Sequence, residues 1–157
     1  MLTAKGKYGL KALVHLAKLR HGRTTRMIDI AQSCNIPESF LATILIDLRK
    51  LGFIHTNKGP RGGHMLAGHS DKIKIGDVIR GLEGPLAPIA CGSRTAYRPC
   101  SDCRDPDQCT VRAVMTRVGD AISETLDSMT LADWVISNTA PSKQRRTKSV
   151  GNSNSTR

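Results

Sequence analysis

Apolar residues recur with the period of an α-helix near the start of the chain. Leu10, Leu13, Val14 and Ala17 occupy positions i, i+3, i+4 and i+7, and lysines lie elsewhere on the cylinder. Residues three and four apart share one face of a helix, so this spacing predicts an amphipathic helix over residues 3–20.

Two more helices are predicted before residue 52. Thr25 is expected to cap a short second helix, and Pro37 is expected to be the first residue of a third, because a missing N–H costs nothing there. Gly52 ends the third helix after Leu51. The positions expected to face inward on this helix are Phe40, Leu41, Ile44, Leu45 and Leu48. Two helices joined by a tight turn form a helix-turn-helix.

A β-hairpin is predicted directly after the third helix. Residues 53–58 and 64–66 read as strands, and Gly59-Pro60-Arg61-Gly62-Gly63 reads as the turn between them. A helix-turn-helix followed by such a hairpin is a winged helix. The predicted fold class is therefore mainly α with a small β-hairpin wing, followed by a long dimerisation helix.

The rest of the chain divides by composition. A Gly- and Pro-rich loop with four cysteines follows a short helix at 76–82, and a long helix at 110–128 precedes a short one at 131–136. The predicted units are a winged helix-turn-helix domain (1–82), a cysteine-rich loop (83–109), a dimerisation helix with a C-terminal short helix (110–137) and a disordered basic tail (138–157).

Charge is unevenly distributed along the 157 residues. The net charge of +11 is made up of +8 in residues 1–66, −2 in residues 67–138 and +5 in residues 139–157. A basic domain joined to a nearly neutral one is typical of proteins that bind the phosphate backbone of nucleic acids.

The third helix is the predicted recognition helix. Short side chains in its first turns would allow close approach to the base edges of the major groove, and basic side chains at its end and on the wing would meet phosphates or the minor groove. The candidate DNA contacts are Glu38, Ser39, Ala42, Thr43, Arg49, Lys50, Lys58 and Arg61.

Four cysteines in the loop carry the other chemical signal. Cys91, Cys100, Cys103 and Cys109 are spaced C-x8-C-x2-C-x5-C, and Cys34 lies apart as an expected packing residue. Thiolates clustered in a short loop suit zinc or an iron–sulfur cluster, and the spacing does not separate these two. The basic residues expected to offset the charge of such a centre are Arg94, Arg98, Arg104 and Arg112.

Other kinds of cysteine and histidine chemistry are less well supported. A disulfide framework does not suit a cytoplasmic chain with five cysteines, and no βαβ pattern favours a thioredoxin-like site. His15 and His64 are kept as remote ligand candidates. A small thiol or metal enzyme would need an acid–base pair near the cysteines, and none is apparent, so we expect no catalysis.

The long helix at 110–128 carries apolar residues in nearly a heptad rhythm. This stripe either packs on the protein's own core or forms the seam of a homodimer, and a two-fold protein would match a palindromic operator in double-stranded DNA. No apolar run is long enough to span a membrane, and no signal peptide is evident, so the expected location is the cytoplasm.

Several motifs together resemble the Rrf-two family of bacterial winged-helix regulators, which includes the IscR, NsrR and RirA types. The resemblance covers about residues 1–137. Its motifs are Leu2-Thr3-Ala4-Lys5-Gly6-Lys7-Tyr8-Gly9-Leu10, Ile28-x-x-Ala31 with Ile36-Pro37, Leu48-Arg49-Lys50-x-Gly52, Gly59-Pro60-Arg61-Gly62-Gly63 and Ile75-Gly76-Asp77-Val78-Ile79.

The resemblance implies a dimeric transcription regulator, usually a repressor, that senses iron, redox state or nitric oxide through an iron–sulfur cluster, with 2Fe–2S favoured over 4Fe–4S. Cys91, Cys103 and Cys109 match the family's three ligands, and Cys100 is an addition. Arg112 replaces the histidine of the IscR type, which leaves Cys100 or a residue of the partner's first helix as the fourth ligand. The alternatives are a regulator with a structural zinc site or with no metal.

Overall fold

The computed structural model describes residues 2–20, 22–60 and 62–139, with side chains up to residue 137. The helices are α1 (Ala4–Ala17), α2 (Met27–Cys34), α3 (Glu38–Lys50), α4 (Ile75–Glu83), α5 (Thr110–Ser128) and α6 (Leu131–Thr139), and the strands are β1 (Ile54–Asn57) and β2 (Gly63–Leu66). Short 3-10 turns lie at Ser70–Lys72 and Ala90–Gly92. The mainly helical fold with a two-stranded wing is confirmed. α6 is longer than predicted, and the tail from residue 140 lies outside the described residues.

The N-terminus of α1 is joined to the C-terminal end of α4. The hydroxyl of Thr3 accepts a hydrogen bond from the backbone N–H of Lys5 (3.1 Å), as expected of an N-cap. One carboxylate oxygen of Glu83 accepts from the N–H and the hydroxyl of Thr3 (3.1 and 2.6 Å) and from the N–H of Gly6 (2.7 Å). A charge on α4 therefore satisfies donors that the first turn of α1 leaves unpaired.

Two glycines let α4 approach α1 this closely. A Cβ on Gly6 would meet the carboxylate of Glu83, and a Cβ on Gly9 would meet a methyl group of Leu82. The two glycines of the first sequence motif are thus explained by the contact between these helices.

The helix-turn-helix forms as predicted, with two local corrections. Asn35 ends α2 in the left-handed conformation (φ 51°), and Pro37 is the N-cap of α3 rather than its first helical residue. Thr25 does not cap α2. Its backbone instead pairs with that of His64 through two hydrogen bonds of 3.0 and 2.8 Å, so it extends the wing sheet by one bridge.

The inner face of α3 is mostly as predicted. Leu41, Ile44, Leu45 and Leu48 are buried in the core that α3 shares with α1, α2 and α4. The prediction for Phe40 was wrong, because its side chain is 44 % exposed and its ring meets the ring of Tyr8 edge-on, with centroids 5.7 Å apart.

The wing is an antiparallel hairpin in which Ile54 pairs with Leu66 and Asn57 pairs with Gly63. Gly63 has a φ of 151°, and a Cβ there would meet the backbone carbonyl of Thr25. The sheet can extend to Thr25 only because this position carries no side chain.

The C-terminal helices fold back onto the first domain. Leu131 is fully buried, and its N–H donates to the carbonyl of Ile73 (2.9 Å). Arg80 of α4 binds Asp127 of α5 through both terminal nitrogens (2.6 and 3.2 Å), which ties α5 to α4. No helix in the described part of the chain is long and apolar enough to cross a membrane.

We expect Glu83→Ala to lower the free energy of unfolding by about 1–2 kcal/mol, because the donors at the start of α1 lose a charged acceptor. Glu83→Gln should cost less, since its amide oxygen still accepts. Urea denaturation measures both, with Asp71→Asn as an exposed control. Equal stability of Glu83→Ala and the wild type would contradict this account of the joint.

Low pH should remove the stabilisation that the Glu83 carboxylate provides. Burial tends to raise the pKa of Glu83, but the hydrogen bonds from Thr3 and Gly6 outweigh burial and hold it below the ordinary value. A depressed folded-state pKa gives stability that is present above the unfolded-state pKa, about 4.3, and is lost as pH falls through the folded value. The stability difference between wild type and Glu83→Gln should therefore shrink below about pH 4.

Candidate nucleic-acid interface and cysteine cavity

The outer face of α3 carries the predicted base-reading residues together. At 100° per residue, the candidate contacts of α3 fall within an arc of about 140°, opposite the buried leucines and isoleucine. Glu38, Ser39 and Thr43 are exposed and Ala42 is half-buried. Asp47 lies just outside this arc, where Lys5 holds it in an ion pair of 2.8 Å. The hydrogen bond from Lys5 keeps the pKa of Asp47 below its usual range.

The predicted phosphate contacts surround this face. Arg49 and Lys50 are exposed on the last turn of α3, and Lys58 is exposed at the start of the wing tip. Arg61, the fourth predicted cation, lies outside the described residues. The structure therefore places Arg49 and Lys50 on the exposed side of α3 and Lys58 at the wing.

Sequence reasoning missed Ile46. Its side chain is 46 % exposed in the middle of the recognition arc, and it lines a cavity of about 240 Å³ with Met27 of α2 and with Thr56 and His64 of the wing. The helical phase of α3 could have identified it, because position 46 lies between positions 42 and 50 on the cylinder. An exposed isoleucine here suits apolar contact with a thymine methyl group.

The four loop cysteines line one cavity of about 570 Å³ beside the start of α5. Cys91 lies in the 3-10 turn and is only 7 % exposed, whereas Cys100 is exposed. Cys109 is the N-cap of α5, and its sulfur accepts from the N–H of Arg112 (3.4 Å). The four cysteines, which span 18 positions of the sequence, therefore lie around one cavity at the N-terminus of α5.

The thiols contact one another in two pairs. A hydrogen bond with Cys91 is the main cause that raises the pKa of Cys100 to about 11. Burial, with the nearby Cys109 thiol, raises the pKa of Cys103. Both groups are therefore protonated at neutral pH in the metal-free chain, and a bound metal would have to displace these protons.

Arg112 organises the loop where the IscR type has a histidine. Its guanidinium donates to the carbonyl oxygens of Cys91 (3.1 Å) and Pro106 (3.0 Å) and to a carboxylate oxygen of Asp107 (3.1 Å). It also lies 5.6 Å from the centre of the Tyr97 ring. A side chain with all these contacts acts as a support of the loop, and its guanidinium offers only hydrogen-bond donors.

The expected charge compensation is only partly found. Arg98, Arg104 and Arg112 line the cysteine cavity, but Arg94 faces away from it and forms a two-pronged ion pair with Asp120 of α5 (2.6 Å each). The two remote histidine candidates, His15 on α1 and His64 on the wing, do not line the cysteine cavity.

The donor set fits a soft metal centre in chemistry and number, since four thiols face one cavity with three guanidinium groups around it. Within the described residues, no three or more side chains of His, Cys, Asp or Glu already surround a single point at which a metal ion could sit. Four thiolates can bind a single zinc ion or the two irons of a 2Fe–2S cluster.

The apolar stripe of α5, formed by Val111, Val114, Val118 and Ile122, is not covered by the described chain. These side chains are 63, 48, 40 and 37 % exposed. The stripe therefore does not pack on the protein's own core. Four aliphatic side chains exposed in a row are typical of an interaction surface.

A recognition helix with a basic rim, followed by a wing, defines a DNA-binding regulator of the winged-helix class. Residues 2–136 match the Rrf2 family model, described as an iron-dependent transcriptional regulator. The chain is 38 % identical over 138 residues to an rrf2-like HTH-type transcriptional regulator of Rhodobacter capsulatus, covering 86 % of this chain and 92 % of that protein.

Solved structures agree. CymR of Bacillus subtilis, described as the global cysteine regulator, matches with a TM-score of 0.70 and 35 % identity over 87 % of this chain and 97 % of that one. IscR of T. potens matches with a TM-score of 0.68 and 30 % identity over 88 % of each chain. The chain belongs to the Rrf2 family, so it is a DNA-binding transcription regulator and not an enzyme.

Replacing Arg49 by Ala should weaken binding to DNA and reduce the salt dependence of affinity, since each lost phosphate contact lowers the slope of log K against log salt by about 0.9. Fluorescence anisotropy with a mixed-sequence duplex at several salt concentrations measures this slope. Lys72→Ala removes an exposed lysine of the Ser70–Lys72 turn and serves as the matched control. If both variants keep the wild-type slope, Arg49 contacts no phosphate.

Proposed function

We propose that this protein is a cytoplasmic homodimeric repressor that binds a palindromic operator in double-stranded DNA. Its affinity is set by an iron–sulfur cluster, of the 2Fe–2S type, held by Cys91, Cys100, Cys103 and Cys109. When bound, the cluster supplies sensitivity to iron, redox state or nitric oxide. The observation that carries the proposal is the single cavity shared by the four thiols at the N-terminus of α5.

One finding favours an iron centre, and a second supplies a full set of protein ligands. The family model that matches this chain is described as iron-dependent. The thiols also form the pairs Cys91 with Cys100 and Cys103 with Cys109, so Cys100 completes a set of four within one protomer. This assignment needs no ligand from the partner's first helix.

The cysteine loop is connected to the recognition helix through a short series of contacts. The guanidinium of Arg112 binds the carbonyl of Cys91, so the 3-10 turn moves with α5. Arg80 joins α5 to α4, and Glu83 joins α4 to α1, which packs on α3. Rearranging the loop would therefore shift the placement of α3. Coupling of this kind is typically about 1–3 kcal/mol, or roughly a 5–150-fold change in operator affinity.

The dimer is proposed to form through the apolar stripe of α5. Burying these side chains against a second copy removes their apolar surface from water, and two recognition helices related by a two-fold axis fit the two halves of a palindrome.

Val118→Glu should break the dimer, because it places an unpaired charge in the middle of this seam. Sedimentation equilibrium should show a dimer for the wild type and a monomer for the variant. Arg117→Glu changes the charge of the neighbouring exposed residue and should leave the dimer intact. A monomeric wild type, or a dimeric Val118→Glu protein, would rule out this seam.

The cluster is tested by purifying the protein without oxygen and measuring its visible spectrum with its iron and acid-labile sulfide contents. We expect a coloured protein with iron and sulfide in equal amounts. Cys100→Ser should lose most of both, whereas Cys34→Ser should keep them, since Cys34 lies on α2, outside the cysteine cavity. A colourless protein with one tightly bound zinc would instead establish the structural zinc site.

Regulation is tested separately with a duplex that the protein selects from a randomised pool. The cluster-containing and cluster-free dimers should differ in affinity for this duplex by roughly 5–150-fold. Equal affinities of the two forms, both dimeric, would leave a DNA-binding protein whose cluster does not regulate it.

A further inference from the structure

A second cavity, which we call the junction cavity, lies between α4, residues 86–95 and α5. Its volume is about 390 Å³, within the range of about 300–1,000 Å³ that is typical of ligand pockets. Cys91 lines the cysteine cavity, and the next two residues, Gly92 and Ser93, line the junction cavity. The two cavities are thus distinct, and both are lined by the 3-10 turn and by α5.

The junction cavity carries balanced charges of both signs. Arg80 and Arg94 supply two guanidinium groups, and Asp120 and Asp127 supply two carboxylates. They form two ion pairs, Arg80 with Asp127 and Arg94 with Asp120, each made through two hydrogen bonds. A simple anion would meet the carboxylates and a simple cation would meet the guanidinium groups, so neither suits the cavity as well as a molecule with both charges.

Two hydroxyl groups at the cavity are without a hydrogen-bond partner among the described residues. Thr95 and Ser123 both line it, and neither side chain makes a hydrogen bond within the described part of the chain. The apolar side chains of the lining are those of Leu86 and Ala87. The lining therefore offers hydrogen bonds to a small polar molecule and some contact with a short aliphatic part.

One ion pair can open without disturbing the fold. The side chain of Arg94 is 71 % exposed, and an ion pair so well hydrated contributes little to stability. The side chain of Arg80 is only 29 % exposed, and a second contact with Asp77 (2.8 Å) keeps it in place if Asp127 turns to a ligand. The guanidinium of Arg94 can therefore move toward a ligand, whereas that of Arg80 stays in place.

We propose that the junction cavity binds a small zwitterion of the amino-acid class. The ligand's carboxylate binds the guanidinium of Arg94, its ammonium group binds Asp120 and Asp127, and the hydroxyls of Thr95 and Ser123 supply further hydrogen bonds. The site lies where α5 meets α4, so an occupant changes the contact between the winged helix and the dimer helix. Operator affinity therefore responds to the amino acid as well as to the cluster, and the two effects are independent.

The test is a screen of the standard L-amino acids, each at millimolar concentration, by thermal shift and then by calorimetry on the full-length protein with its cluster. We expect at least one to bind with one site per protomer. Its N-acetyl and methyl-ester derivatives, which lack one charge each, should bind at least about tenfold more weakly, because each loses a charged hydrogen bond. Operator affinity should change when the amino acid is added.

Matched variants assign the site. Arg94→Gln combined with Asp120→Asn removes one charge of each sign and should weaken the amino acid at least about tenfold. Arg117→Gln combined with Glu124→Gln makes the same change on an exposed face of α5 outside the cavity and should leave binding unchanged. Ser123→Leu, which fills the cavity, should abolish binding in a protein whose circular dichroism is that of the wild type.

Three results would overturn the proposal. These are the absence of binding by every amino acid, equal binding of the singly charged derivatives, and full binding by both cavity variants. None of them bears on the cluster, because the iron and sulfide contents are measured independently.

Discussion

The carboxylate of Glu83, hydrogen-bonded to the first turn of α1, determines how the two halves of this protein meet. α1 lies at the centre of the winged helix and packs on α2, α3, α4 and α6. Its N-terminal N–H groups need acceptors, and the end of α4 supplies a charged one. Gly6 and Gly9 make room for that approach. Since α4 in turn holds α5 through Arg80, the position of the dimer helix relative to the recognition helix depends on this capped joint.

α5 presents three different faces. The apolar stripe, centred on Val118, is exposed in the described chain. The face with Gly119, Ser123 and Asp127 lies against the protein's own α4 and the loop after it. Its first turn, capped by Cys109, forms part of the cysteine cavity. A single helix therefore connects the exposed stripe, the cysteine loop and the winged helix.

The charged residues of the winged helix and those of the cysteine loop have different surroundings. Arg49 and Lys50 are exposed on α3 and Lys58 on the wing, whereas Arg98, Arg104 and Arg112 line the cysteine cavity together with Asp102 and Asp105. Arg112 has a different role from the histidine that the IscR type carries at this position. Where a histidine could bind metal, a guanidinium can only donate hydrogen bonds, and here it binds the carbonyl groups of the loop.

The local pattern of residues determined most of the elements by itself. Helical periodicity located every helix of the winged domain and the full extent of α5, because burial of one face requires apolar residues three and four apart. The family, too, followed from short motifs, whose glycines and prolines reflect turns and close contacts. These features depend on neighbours in the chain, and neighbours can be read from a sequence.

Tertiary structure decided the contacts between residues far apart in the chain. Thr25 was expected to cap a helix, but pairing with His64 across the sheet satisfies its backbone instead. Phe40 was expected in the core, but Tyr8 covers only one edge of its ring. Arg94 was expected beside the cysteines, yet Asp120 draws it into the junction cavity. In each case a distant partner outweighs a local preference, and which partner lies within reach is set only when the helices pack.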